Sequence, residues 1–159
     1  MKTAKQLKLT KTQHKNLAKL TVFVRDKVAP PKFNIKWFFT EKRQFIEDCA
    51  SDTCPMQEEY SCGTSACFLG YAILAGIKAQ KHELWRDYCK RAFGVEMGDR
   101  FDCYNFLFSH KHKNNKAAAV KRGAYFLENG LPELVNLATW EAPRSFKPDW
   151  ASIEFLANS

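Results

Sequence analysis

The sequence predicts a mainly α, compact single-domain helical fold around a buried central helix, and three observations carry that prediction. The stretch from Cys62 to Gly76 is apolar almost all round, which suits a helix inside a core rather than on it. Apolar residues recur at helical spacing in residues 11–28, 82–93 and 115–129. Each of those stretches closes on a stop signal: Pro30-Pro31, Gly94 and Gly130.

The elements follow in order. Residues 1–9 read as a flexible basic lead, and residues 10–159 as one globular domain. Thr10 and Gln13 have the spacing of a capping box. Leu17, Leu20, Val24 and Val28 then form the apolar stripe of an amphipathic helix over about residues 11–28. Alternation at Phe33, Ile35 and Trp37 suits an extended segment and allows a small strand pair near residues 33–39. Thr40 can cap a short helix through Asp48, and a polar connector through Ser61 leads into the central helix.

Beyond Gly76, residues 82–93 give a helix stopped at Gly94, and residues 101–108 an aromatic-rich segment whose geometry the pattern leaves open. Asn114 or Asn115 starts a helix that runs to Asn129 and stops at Gly130. Pro132 fronts a short helix through Trp140. Asp149 caps a last turn or two over residues 150–156.

A length of 159 residues with 45% apolar content suits one domain with a sizeable core and argues against overall disorder. The formal charge of +8 is concentrated: residues 1–48 carry twelve Lys/Arg against four Asp/Glu, and the remainder thirteen of each. A basic first third can attract an acidic protein, nucleic acid or an anionic surface, or can simply be a solvated face. The candidate binding residues are Lys11, Lys15, Lys19, Arg25, Lys32 and Lys36. Lysines at 2, 5, 8 and 11 interrupt any secretory signal, and the apolar run 67–77 is about half of a membrane span. Six cysteines without an export signal fit reduced thiols in a cytoplasm, which is the host's if the gene is viral.

The first candidate position for chemistry is Cys62. Cys62, at the expected start of the central helix, would see unpaired amides and the positive dipole end, which favour a thiolate. A nucleophile also needs a base, and His82 and His110 are the candidates taken forward from four histidines. The plainer reading is a structural set, Cys62, Gly63, Thr64, Cys67 and Gly70, that shapes the entry of the helix. Cys49, Cys54, Cys62 and Cys67 only loosely match a zinc knuckle, and Cys67 falls on a different helical face from Cys62, so no metal is assigned. The chain has no phosphate-cradling glycine loop, no H-E-x-x-H and no G-x-S-x-G, and no cofactor is assigned.

The run Cys62-Gly63-Thr64-x-Ala66-Cys67-x-x-Gly70-x-Ala72 resembles a motif of small uncharacterised proteins from tailed phages and some bacteria. Weaker steps similar to that group are Lys32-Phe33-Asn34-Ile35-Lys36-Trp37, Phe93-Gly94-Val95, Phe106-Leu107-Phe108 and Gly130-Leu131-Pro132. The resemblance covers about residues 10–135 and implies that the cysteine motif acts as a unit, without implying an activity. The resulting expectation is a small intracellular phage accessory protein that binds and modulates a host or phage macromolecule through its basic N-terminal surface. Its partner is expected to be a protein, with nucleic acid the other option and no membrane. The alternative expectation is a cysteine-dependent hydrolase or transferase using Cys62 with a histidine base.

Overall fold

Thr10 starts the first helix as its spacing to Gln13 predicts. Its hydroxyl accepts from the Gln13 N–H at 3.1 Å, while Gln13 Oε1 accepts from the Thr10 N–H at 2.9 Å. In a computed structural model, which describes residues 1–33, 68–96, 102–108, 115–133 and 140–159, this helix, α1, runs Lys11–Lys27. It gives way to a 3-10 turn, Pro30–Lys32, because proline has no N–H with which to continue the ladder. The other helices are α2 (Trp85–Phe93), α3 (Asp102–Phe108), α4 (Lys116–Asn129) and α5 (Trp150–Asn158). The fold is mainly α, as predicted.

The helix at the centre of the described residues is α1. It buries His14, Leu17, Ala18, Leu20, Thr21 and Val24, and packs against α2, α4, α5 and a second 3-10 turn, Gly70–Ala72. The lead expected to be flexible is docked beside it. Residues 4–8 form a turn, Leu7 enters the core, and the Lys2 N–H donates to the Leu127 carbonyl at 3.0 Å.

The described part of the expected central helix, residues 68–76, is largely buried, with Leu74 exposed, and is not a regular α-helix. Phe68, Leu69, Tyr71, Ala72, Ala75 and Ile77 all lie in the core. After the Gly70–Ala72 turn, Gly76 takes φ +79°, its N–H donates to the Ile73 carbonyl at 2.8 Å, and the Ile77 N–H donates to Ala72 at 3.0 Å. That pair of bonds is a Schellman closure, in which a left-handed glycine ends a helical turn and satisfies its last carbonyls. The carbonyls of Lys32 and Ile77 accept from the phenol hydroxyls of Tyr71 and Tyr88, both at 2.6 Å.

Helix ends follow the residues that the sequence offers. Gly94, at φ +68°, closes α2 by donating to the Lys90 carbonyl at 2.9 Å. Asn115 caps α4 by accepting from the N–H groups of Ala117 and Ala118 at 2.9 and 3.3 Å, and Asp149 caps α5 through Ser152. The geometry left open at residues 101–108 is helical over the described part, Asp102–Phe108. Helix α3 links two ring clusters: Phe108 meets Phe68, Phe93 and Tyr104, whereas Phe106 meets Tyr125, Phe126 and Trp140. Phe33 carries an isolated bridge; the rest of the expected strand pair (34–39) and the helix expected through Asp48 lie outside the described residues, as does 134–139 of the helix expected through Trp140.

Candidate interaction surface

Lysines at 11, 15 and 19 recur every four residues, so α1 carries them as one row along its length. Lys11 is exposed, while Lys15 and Lys19 lay part of their stems along the protein, as long cationic side chains do over apolar surface. Lys19 extends over the Schellman turn, with Nζ 3.2 Å from where a Cβ would stand on Gly76. Lys5, Lys8, Lys27 and Lys32 add exposed charge at the two ends of the helix. Among the described residues, no carboxylate forms an ion pair with any of these lysines.

The row runs against local electrostatics. Like charges at i and i+4 oppose a helix by about 0.2–0.5 kcal/mol per pair. The first turn of α1, where the dipole favours acids, contains no acidic residue. Tertiary burial of the opposite face and the capping box hold the helix in place against both terms.

The other candidate binding residues behave differently. Arg25 is committed to the protein itself. Its Nε and Nη2 donate to Asp26 at 2.6 and 2.8 Å, Nη2 also reaches Glu154 of α5 at 2.6 Å, and its guanidinium lies 4.4 Å from the Trp150 ring centroid. The Asp26 hydrogen bond and charge, with those of Glu154, hold the Arg25 pKa above its ordinary value despite partial burial. Lys36 lies outside the described residues.

Of the candidate catalytic and structural set, Cys62, Gly63, Thr64, Cys67 and His110 lie outside the described residues, as do Cys49 and Cys54. His82 is exposed in a left-handed turn at φ +58°. Gly70 is buried at the start of its 3-10 turn. Cys89 is buried and Cys103 partly buried.

Arg122 went unremarked in the sequence, yet it is among the largest fully buried side chains. Its place in the pattern Ala119, Val120, Arg122, Gly123, Phe126 was the available signal, because those positions share the core face of α4. No described helix is long and apolar enough to cross a membrane. No protein-family model, curated protein or solved structure matches the chain.

Proposed function

We propose that this chain is a small phage accessory protein that binds and modulates a host or phage macromolecule through the lysine row of α1, extended by Lys32. The partner is an acidic protein face, with nucleic acid phosphate as the competing outcome. One observation carries the reading: Lys11, Lys15 and Lys19 form a continuous cationic row that the chain's own described carboxylates leave unpaired. A helix that keeps this row against its own dipole and i,i+4 repulsion has a surface suited to an external polyanion. Arg25 is not part of that surface, because Asp26, Glu154 and Trp150 occupy it.

The test is fluorescence anisotropy with a labelled polyglutamate peptide and with single- and double-stranded oligonucleotides, each at two salt concentrations. Wild type binds at low salt, and a variant combining Lys11→Gln, Lys15→Gln and Lys19→Gln binds far more weakly. If nucleic acid is the ligand, the variant's salt slope falls by roughly two to three units. No binding to any probe at low salt, or unchanged binding by the triple variant, overturns the reading.

A further inference from the structure

Three arginines among the described residues differ in one edge of the guanidinium. Arg25 turns Nε and Nη2 to Asp26 Oδ1 and Oδ2 at 2.6 and 2.8 Å. Arg91 turns the same edge to Glu83 Oε1 and Oε2 at 2.6 and 2.7 Å. Both are side-on forks, with two parallel N–H donors meeting two carboxylate oxygens. Arg122 is 1% exposed, and among the described residues the same two atoms, Nε and Nη2, have no hydrogen-bond partner.

Arg122 shares the buried face of α4 with aromatic residues. Tyr125 and Phe126 stand one turn further along the same face of α4, where they join Phe106, Trp140 and Phe146 in a ring cluster. Rings offer a guanidinium edge no hydrogen-bond acceptor in their plane, and a dry setting strengthens its attraction for an anion. Glu141 follows Trp140 in the chain and acts on Arg122 through its charge, without bonding Nε or Nη2. Burial pulls the Arg122 pKa down to about 10, against the opposing pull of Glu141, so the side chain stays charged at neutral pH.

We propose that the Nε–Nη2 edge of Arg122 is a binding site for a small oxyanion, carboxylate or phosphate, admitted beneath the segment that carries Trp140, Glu141 and Phe146. This site is separate from the lysine row and uses a different chemistry: a two-donor fork in a dry wall rather than a line of solvated point charges. Residues 140–149 form no helix or strand, so displacing them breaks no ladder. Glu141 is exposed and near the entry, where its carboxylate repels an incoming anion while keeping the guanidinium charged.

Isothermal titration of the full chain with inorganic phosphate, and separately with acetate, against chloride at matched ionic strength, tests the site. Saturable one-to-one binding is expected, and the anion that binds more tightly identifies the oxyanion class. Arg122→Lys keeps the charge but loses the fork and weakens binding by about tenfold or more. The combined Lys11→Gln, Lys15→Gln, Lys19→Gln variant leaves it unchanged, and Glu141→Gln tightens it. Unsaturable binding, wild-type affinity in Arg122→Lys, loss in the lysine variant, or weakening by Glu141→Gln overturns the proposal. Should Arg122→Lys fail to fold, the wild-type chain labelled with 15N at arginine Nε decides. The Arg122 Nε–H resonance must shift on adding whichever anion binds, while those of Arg25 and Arg91 stay; an unmoved Arg122 resonance overturns the site.

Discussion

Gly123 of α4 faces Thr21 of α1 so closely that a Cβ at position 123 would stand 2.6 Å from the Thr21 hydroxyl oxygen. The hydroxyl cannot easily turn away, because it donates to the Leu17 carbonyl at 2.8 Å and belongs to a β-branched side chain. The Phe68 ring would lie 3.1 Å from the same Cβ. Glycine at this position sets how near α1 and α4 approach. In an isolated helix Gly→Ala would stabilise by about 1 kcal/mol. Here Gly123→Ala is expected to destabilise by up to about 2 kcal/mol, because overpacking of about 1–3 kcal/mol offsets and exceeds the propensity gain. Adding Thr21→Ala should recover most of the loss; urea denaturation of the single and double variants measures both.

The Gln13 amide does two things at once. Its Oε1 completes the α1 capping box, and its Nε2 donates to the Lys90 and Arg91 carbonyls at 3.1 and 3.3 Å, at the C-terminus of α2. Asn16 adds a bond to the Ala92 carbonyl at 2.9 Å. Thr10→Ala is expected to cost about 1 kcal/mol. Gln13→Ala should cost more, about 1–2 kcal/mol, because it also uncaps α2. Equal urea midpoints for the two variants would show that the α2 bonds contribute nothing.

Arg25 ties α1 to α5 through Glu154 and Trp150. Its ion pairs are partly solvated and worth little each, whereas ring stacking adds about 0.5–1 kcal/mol. Arg25→Ala is expected to lower stability by about 1–2 kcal/mol and to leave polyanion binding near wild type. Arg25→Lys should recover little stability, since an ammonium neither forks nor stacks in the same way. Thermal melts read the first effect, and the anisotropy assay reads the second.

His14 makes stability depend on pH. Burial lowers its pKa from 6.5, and among the described residues Nε2 has no hydrogen-bond partner. The unfolded chain therefore takes up a proton near pH 6.5 that the folded chain resists. Stability from this group is complete above pH 6.5 and declines as pH falls below it. The carboxyls of Asp26 and Glu83 are also held low, by hydrogen bonds from Arg25 to Asp26 and, against the raising effect of burial, from Arg91 and the Gln80 N–H to Glu83. Their stabilisation is lost only as pH falls below the ordinary carboxyl values of 3.8 and 4.5, so the loss from His14 begins at the higher pH. His14→Met should flatten the decline that begins below pH 6.5 in urea titrations; an unchanged decline would assign it to another group.

Much of the interaction surface was legible in the sequence, since i,i+4 spacing alone aligns Lys11, Lys15 and Lys19. Arg25 was not, because its partner Glu154 lies 129 residues further along the chain. Arg122 was not legible either. It sits on α4, which packs against α1, α3 and α5, so its burial is decided by elements from other parts of the chain.

By itself the sequence determined the helical class and most helix ends, because those rest on local chemistry. Thr10 and Gln13, Asn115, Asp149 and Gly94 act within a turn of their own positions. Tertiary structure decided which helix stands at the centre. The apolar run at 68–76 promised that role from composition, but its turns close at Gly76 after a few residues. The amphipathic α1, basic on one side, took the centre because α2, α4 and α5 pack around its other faces. Burial depends on neighbours distant in sequence, and periodicity along one segment does not contain them.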